Sequence, residues 1–577
     1  MKQVSRQQSS PFQILKSGHS RIRDIRRANI LTIGKVSDSI KTMFGPCGMH
    51  KMLVSPKGEV TIACDGLAII NNMVTSSPIT KLLIEAVRTQ HELAGDGTKT
   101  VVILAGELLK KAEHLLKMKV HPTAIMGGYN KARKRALETL ESIGMRVSLN
   151  DRALLQRIAS TAIGGRLSGK ELELIASLAV ESVSEIAEES RGKVKVDHDW
   201  LVVRKKAGCS VAESRLLSAL IVYKERPSPK MPARLTDAKV ALIGSTLDPL
   251  TYNNDQTMRE YEVNTPSQLR EIIKGEQDFN RGVVKHVLRA GAAVLFCQKR
   301  VSKAIMKQFA DAGILATELV SQEDMLRLEK VTGARIVTKV DSLASDDLGV
   351  ARLVEFRKIS GDEMLFIEGA GRSKVATAIL RGGTPQIAES LEAIYRSAAN
   401  AVAKAVEDGR ALNGGGACEM HLSTDLRAYS KSFAGKEQLA IEAFADALEE
   451  IPKALASNSG KNPIDSLTWL RAGHFAGSKD LCIDSGTNAS KAVDVFLIKH
   501  HSINAASDVA TMVLGISDVI AVTNPAAVQA AQLETEAEQN RIQGERLRTA
   551  FKENEALKEV QTIDRQIAER LSRPESY

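Results

Sequence analysis

The sequence predicts a multidomain α + α/β protein in which helical stretches flank an α/β unit. Three observations predict it. Apolar residues at i, i+3, i+4 spacing dominate before about residue 195 and again after residue 385. Short apolar strands alternate with helices between about 222 and 374. The 577 residues allow roughly three to four domains at about 150 residues each. Periodicity leaves two arrangements open: three consecutive domains, or an α/β domain inserted between two helical halves.

The elements follow in order. "TKLLIEAVRTQHELAG" and "TVVILAGELLKKAEHLLKM" are amphipathic helices. "MHKMLVSPKGEVTIACDG" reads as two short strands around a Pro-Lys-Gly turn. A further pair of helices occupies 151 to about 195, ending near Gly192, and "VVRKKAGCS" is a strand and turn. "KVALIG", "AAVLFC", "GILATELV" and "GARIV" are strand candidates of the α/β unit. Thr265-Pro266-Ser267-Gln268 predicts a capped helix start between the first two. "LVEFRKISGDEMLFIEG" predicts a hairpin. "AESLEAIYRSAANAVAKAVEDG", "QLAIEAFADALEEIPKALASNSG" and "INAASDVATMVLGISDVIAV" are each predicted as one helix. After about Leu533, charged sequence carries Leu547, Phe551, Leu557, Val560, Ile563, Ile567 and Leu571 near helical spacing, which suits a docking helix, a short coiled coil or a solvated helix.

Composition narrows the functions. Lys plus Arg is 79 against 69 for Asp plus Glu, and the excess is spread along the chain rather than gathered into a basic arm or patch. Aromatics are only 4%, too few for base-stacking platforms. Neither a nucleic-acid partner nor a membrane partner is expected. Cys47, Cys64, Cys209, Cys297, Cys418 and Cys482 include no CxxC pair, so neither a zinc ribbon nor a disulfide framework is predicted. Reduced thiols, and the lack of a signal-type apolar run at the N-terminus or a stretch near 18 apolar residues, predict a soluble cytoplasmic protein.

Several turns expose backbone. Gly95-Asp96-Gly97-Thr98-Lys99-Thr100 stands directly before a helix, where N–H groups attract phosphate. Asp96 suits a magnesium-bridged anion, Thr98 and Thr100 offer hydroxyls, and Lys99 offers a cation. The same residues also make an ordinary turn with a Thr cap, and spacing does not choose. Gly45-Pro46-Cys47-Gly48, Cys64-Asp65-Gly66 and Gly414-Gly415-Gly416 are further tight turns. Gly164-Gly165-Arg166-Leu167-Ser168-Gly169-Lys170-Glu171 almost matches a phosphate loop, but Glu171 replaces the magnesium-binding hydroxyl and no strand clearly precedes it.

Five ordered segments, "GPCGMHKMLVSPKGEVTIACDG", "GDGTKTVVILAGELL", "GGGACEMHLSTDLRAYS", "NPIDSLTWLRAGH" and "VATMVLGISDVI", resemble the group II chaperonins, the thermosome and the eukaryotic cytosolic chaperonin. "MPARLTDAKVALIGSTLD" and "DMLRLEKVTGARIV" resemble that family's apical domain. The resemblance runs from about residue 20 to 521. It implies the chaperonin fold: a helical equatorial domain from 1–150 and 408–521, a small intermediate domain from 151–221 and 375–407, and an inserted α/β apical domain over 222–374. The charged helical tail, 522–577, exceeds the family's usual short C-terminus. The resemblance also implies ATP and Mg2+ as cofactors, partner subunits in a homo- or hetero-oligomeric double ring, unfolded polypeptides as clients, and a built-in lid formed by residues 247–282.

Site residues carry over one by one. Gly45 and Pro46 match the loop against the nucleotide. Asp96, Gly97, Thr98 and Thr100 match the phosphate and magnesium loop, with Asp96 the metal ligand. Asp65 matches an acid near the γ-phosphate, and Gly415 and Gly416 match glycines packed on the nucleoside. Arg166 falls where the family has a γ-phosphate-sensing Lys, keeping the charge with a different geometry. Lys99 stands where the family has Thr. The catalytic Asp of the intermediate domain falls on Ser397, which has no charge and less reach. Loss of a water-orienting base typically costs about 10²–10⁴-fold, so nucleotide binding with slowed hydrolysis is expected. An alternative is a non-catalytic, chaperonin-derived assembly protein that uses its tail.

Overall fold

The computed structural model describes residues 19–54, 60–63, 66–72, 78–167, 169–190, 193–249, 265–359, 362–370, 375–483 and 492–516. The 522–577 tail and residues 250–264 of the lid segment lie outside the described residues. Arg27–Gly515 makes one compact unit.

The first helical stretch contains α1 (His19–Lys41), the β1 (Lys51–Val54) and β2 (Val60–Ala63) hairpin, α2 (Gly66–Asn72), α3 (Pro78–Ala94), α4 (Thr98–Lys117), α5 (Pro122–Ile143) and β3 (Met145–Arg146). β1 and β2 pair antiparallel with Met52 opposite Ile62, as the two-strand reading predicts. α6 (Arg152–Ile163) and α7 (Gly169–Ile186) follow. The helical pair predicted to reach about 195 ends earlier, because no apolar stripe continues past Ile186. The charged segment instead forms the β4 (Glu188–Ser190) and β5 (Lys193–Lys195) hairpin.

β6 (Leu201–Ala207), β7 (Arg215–Leu217) and β8 (Leu220–Val222) lead into the α/β unit. That unit comprises β9 (Arg234–Ile243), α8 (Pro266–Ala290), β10 (Val294–Cys297), α9 (Lys303–Asp311), β11 (Leu315–Thr317), α10 (Gln322–Thr332), β12 (Ile336–Val337), β13 (Gly349–Ile359) and β14 (Asp362–Gly369). The predicted capping box at Thr265 is formed: Gln268 N–H donates to Thr265 Oγ1 and Thr265 N–H donates to Gln268 Oε1. In the main sheet the order is β11-β10-β9-β13-β14-β8, with β12 beside β9. β10 and β12 run parallel to β9, and β13 and β14 form the predicted antiparallel hairpin.

Apolar residues on both faces of β9 and β10 explain their unbroken hydrophobic runs. Val240, Leu242, Val294 and Phe296 join Met325 and Leu328 of α10 in one core. Ala241, Ile243 and Leu295 join Val283 and Val287 of α8 and Phe309 of α9 in another.

The chain then returns through β15 (Ala376–Gly382), α11 (Pro385–Asp408), β16 (Arg410–Asn413), α12 (Ala417–Ser430), α13 (Lys436–Leu448), α14 (Glu450–Asn458), α15 (Pro463–Phe475), β17 (Val493–Val495) and α16 (Phe496–Gly515). The single helix predicted over 438–460 is two helices meeting at Glu449. Pro452 has no N–H to bond the Leu448 carbonyl, so the ladder of α13 breaks there and Pro452 sits in the first turn of α14, where no such bond is needed.

Two pairings decide between insertion and consecutive domains. β15 lies parallel to β6, in register from Leu201 opposite Ala376 to Ala207 opposite Gly382. α16 packs on α3, α4 and α5, and α13 packs on α4 and α5. Helices from before and after the α/β unit thus build one layer, and the α/β unit is an insertion. Tyr129 of α5 seals that layer, donating to the Leu108 carbonyl at 2.7 Å and meeting Phe444 edge-on at 5.7 Å.

Phe309 is wholly buried between α9 and the sheet. Phe309→Ala should cost about 3–5 kcal/mol. Hydrogen exchange should accelerate within 234–359 and stay unchanged in α4, α5 and α16.

Candidate functional site

A cleft of about 1320 Å³ opens beside the N-terminus of α4. Gly45, Pro46, Asp96, Gly97, Thr98, Lys99, Thr100, Arg166, Gly415 and Gly416 all line it. Residues predicted from four separate turns therefore converge on one space. Asp65 lies outside the described residues. Its neighbour Gly66 packs on this wall, where a β-carbon would sit 2.9 Å from Thr98 Oγ1. Ser397 does not line the cleft. It is half-buried on α11, one turn before Ala401, which does line it. Asn400, also on α11, packs on Gly95.

The turn before α4 is built by its neighbours. Gly97 has φ 83° and caps the helix with no side-chain hydrogen bond, leaving first-turn N–H groups for another partner. A β-carbon at Gly97 would fall within 2.9 Å of Ile498, Ser502 and Gln90. Gln90 Nε2 donates to the Asp96 carbonyl at 2.8 Å and to the Ile498 carbonyl at 3.3 Å, tying the turn to α16. Asp96 Oδ1 accepts from the Gly97 N–H at 2.7 Å.

Burial pushes the Asp96 carboxyl above the usual carboxylate range. The Gly97 N–H, Arg166 and Lys99 oppose this rise, and Asp494 adds to it. A cation beside Asp96 would relieve the cost of its charge, and the uncapped helix start would take phosphate oxygens. The residues present fit a magnesium-bridged phosphate. Asp96 would hold such an ion from the protein side.

The Gly164–Glu171 near-match is not a phosphate loop, in keeping with the Glu171 replacement and the missing strand. Gly164–Lys170 follows a helix, α6, where that motif requires a strand. Its turn matters differently. A β-carbon on Gly165, φ 85°, would come within 1.9 Å of the Pro46 carbonyl oxygen, so two backbones meet there and hold Arg166 at the cleft wall.

Asp494 and Lys499 were not anticipated. They line the cleft from β17 and α16. Lys499 Nζ lies 2.5 Å from Glu419 Oε1 and 3.0 Å from Asp494 Oδ2. Burial disfavours its charge, but the two carboxylates hold its pKa above the ordinary lysine value. The available sequence signal was a pair of charges in the apolar run "VDVFLIK".

A helical layer made from segments on either side of an inserted α/β unit, with a cleft beside the layer, defines a chaperonin subunit. The comparisons agree. Residues 36–524 match the family model for the TCP-1/cpn60 chaperonin family. A thermosome subunit of Pyrococcus horikoshii is 40% identical over 519 residues, 89% of this chain and 94% of the relative. Thermosome subunit alpha of Archaeoglobus fulgidus is 40% identical over 522 residues, 89% of this chain and 95% of the relative. Among solved structures, the open-state monomer of a group II chaperonin from Methanococcoides burtonii is 34% identical, with a TM-score of 0.56 over 73% of this chain and 100% of that one. The chain belongs to the TCP-1/cpn60 chaperonin family, as a group II member. No helix among the described residues is long and apolar enough to cross a membrane.

Glu419→Ala would strand the Lys499 ammonium against Asp494 alone. Breaking a buried pair this way costs about 3–5 kcal/mol, and a lowered melting temperature of the ligand-free protein would show it.

Proposed function

We propose that the cleft binds ATP with Mg2+ and that this drives a group II chaperonin cycle with slow hydrolysis. The observation that carries the proposal is the convergence of Gly45, Pro46, Asp96–Thr100, Arg166, Gly415 and Gly416 on one space beside a helix start. Asp96 would hold the metal, the α4 N-terminus the phosphates, and Gly415 and Gly416 the nucleoside. Bound magnesium supplies charge neutralisation between phosphate oxygens.

Slow hydrolysis rests on Ser397. Its hydroxyl cannot take a proton as a carboxylate does, and it stands one helical turn from the cleft wall. Turnover would need α11 to bring this position nearer. The other assignments follow from family membership. Residues 1–150 and 408–521 serve as the equatorial domain, 151–221 and 375–407 as the intermediate domain, and 222–374 as the apical domain. Subunits assemble into a double ring, unfolded polypeptide is the client, and residues 247–282 form the lid. Native mass measurement tests the ring: a megadalton-class particle is expected, and a monomer would refute it.

Asp96→Asn should weaken Mg-ATP binding by about tenfold or more. The same substitution should raise the melting temperature of the ligand-free protein. Asn keeps an oxygen for the Gly97 N–H and removes a charge that burial makes costly. Calorimetry and a thermal melt check both signs.

Ser397→Asp should raise single-turnover ATP hydrolysis by about tenfold or more. An equal or slower rate, with nucleotide binding retained, would refute the role given to this position.

A further inference from the structure

We propose that His474 is a positioning residue for the nucleoside: its ring holds the Leu481–Ile483 segment against Gly415 and so shapes the wall on which the nucleoside rests. The proposal rests on the nucleotide reading of the cleft and concerns its nucleoside end only.

Cys482 and Ile483 line the cleft together with Gly415 and Gly416. A β-carbon at Gly415, φ 64°, would sit 3.0 Å from the Cys482 β-carbon, so the segment lies directly on the glycine backbone. The Ile483 N–H donates to the Gly415 carbonyl at 2.9 Å. Leu481, Cys482 and Ile483 belong to no helix or strand. Their place is therefore set by contacts with neighbouring elements.

His474 supplies the contact at the start of the segment. It lies in the last turn of α15 and is only 4% exposed. Its Nε2 stands 2.9 Å from the Leu481 carbonyl oxygen. A carbonyl only accepts, so Nε2 carries the hydrogen and donates. The adjacent Gly473 lets helix and segment close on each other: a β-carbon there would meet Leu481 Cδ2 at 2.2 Å. Beneath the segment, Leu481 and Ile483 pack with Met420 of α12, Ala456 of α14 and Leu470 of α15. Asn413 Nδ2 donates to Asp480 at 2.7 Å, but that pair is exposed and competes with water.

The other nitrogen of the ring argues against a packing role alone. Nδ1 is buried with no hydrogen-bond partner among the described residues, which costs free energy. A leucine would fill the same core without that cost. What the imidazole adds is the Nε2–H bond to the backbone of the nucleoside wall. His421 of α12 faces the ring, 6.1 Å between centroids. α12 starts at Ala417, directly after the two nucleoside glycines, so the two imidazoles join both sides of that wall.

The test is binding of ATP and of inorganic tripolyphosphate to the full chain, both with Mg2+, by calorimetry. His474→Leu and His474→Met remove the donor and keep the bulk, and methionine adapts to the core if leucine packs badly. Either should lose about fivefold or more in ATP affinity, while tripolyphosphate affinity changes less than about twofold. His474→Gln, whose Nε2 can donate to the same carbonyl, should return ATP affinity to within about twofold of wild type. A role in stability alone would lower the melting temperature without separating the two ligands. An unchanged ATP affinity, an equal loss for both ligands, or a His474→Gln variant that fails to recover overturns the proposal. So does a wild-type protein that binds tripolyphosphate as tightly as ATP. A wild-type protein that does not bind ATP overturns the nucleotide reading itself, and one that binds ATP but not tripolyphosphate overturns the phosphate seat at α4.

Discussion

The seating of α16 against α3, α4 and α5 is the constraint on which the rest of the structure depends. Through it Gln90 reaches the Ile498 carbonyl, the Gly97 turn is clamped beside Ser502, and Lys499 is carried to Glu419. The Gln90 and Gly97 contacts join residues about four hundred positions apart, on either side of the inserted unit. Contacts of such separation are slow to form, because loop closure must precede the reward. The pairing of β15 with β6 returns the chain from the inserted unit to the segment that entered it.

That closure also sets the electrostatics of the cleft. Lys499, Glu419 and Asp494 form a buried ionic group whose attraction offsets its desolvation. Asp96 has no such enclosure. It is crowded by protein and balanced partly by Arg166 and Lys99, which leaves its carboxyl above the usual range. The wall thus combines a paired charge cluster with an acid whose charge burial disfavours.

α11 connects this site to the inserted unit. Asn400, two turns before the end of the helix, rests on Gly95, and the helix begins just after β15. α10 of the α/β unit is tied to the β4–β6 region by side chains: Arg204 to Asp324 at 3.1 Å, Arg327 Nε to the Asp199 carbonyl at 2.9 Å, and Lys330 over the Trp200 ring at 4.0 Å. These are polar, partly exposed contacts, which open at lower cost than a packed core. Motion of the insertion would fall on them first.

By itself the sequence determined the local elements and most of the cleft. Period-3.6 and apolar runs marked the helices and sheet strands, and glycine turns marked the walls, because backbone propensity and turn chemistry act over a few residues. Where those signals fell short, the causes were equally local: the helix stop at Ile186, and the break that Pro452 imposes at Glu449. The tertiary structure decided what depends on residues hundreds of positions apart. It made the α/β unit an insertion, through the parallel pairing of β6 with β15. It brought Asp494 and Lys499, which have no motif of their own, to the cleft wall. It placed Ser397 a turn away from that wall, and it turned Lys99 toward the Met43 carbonyl. Charge balance in a cleft is a property of what folding brings together, and no window along the chain contains it.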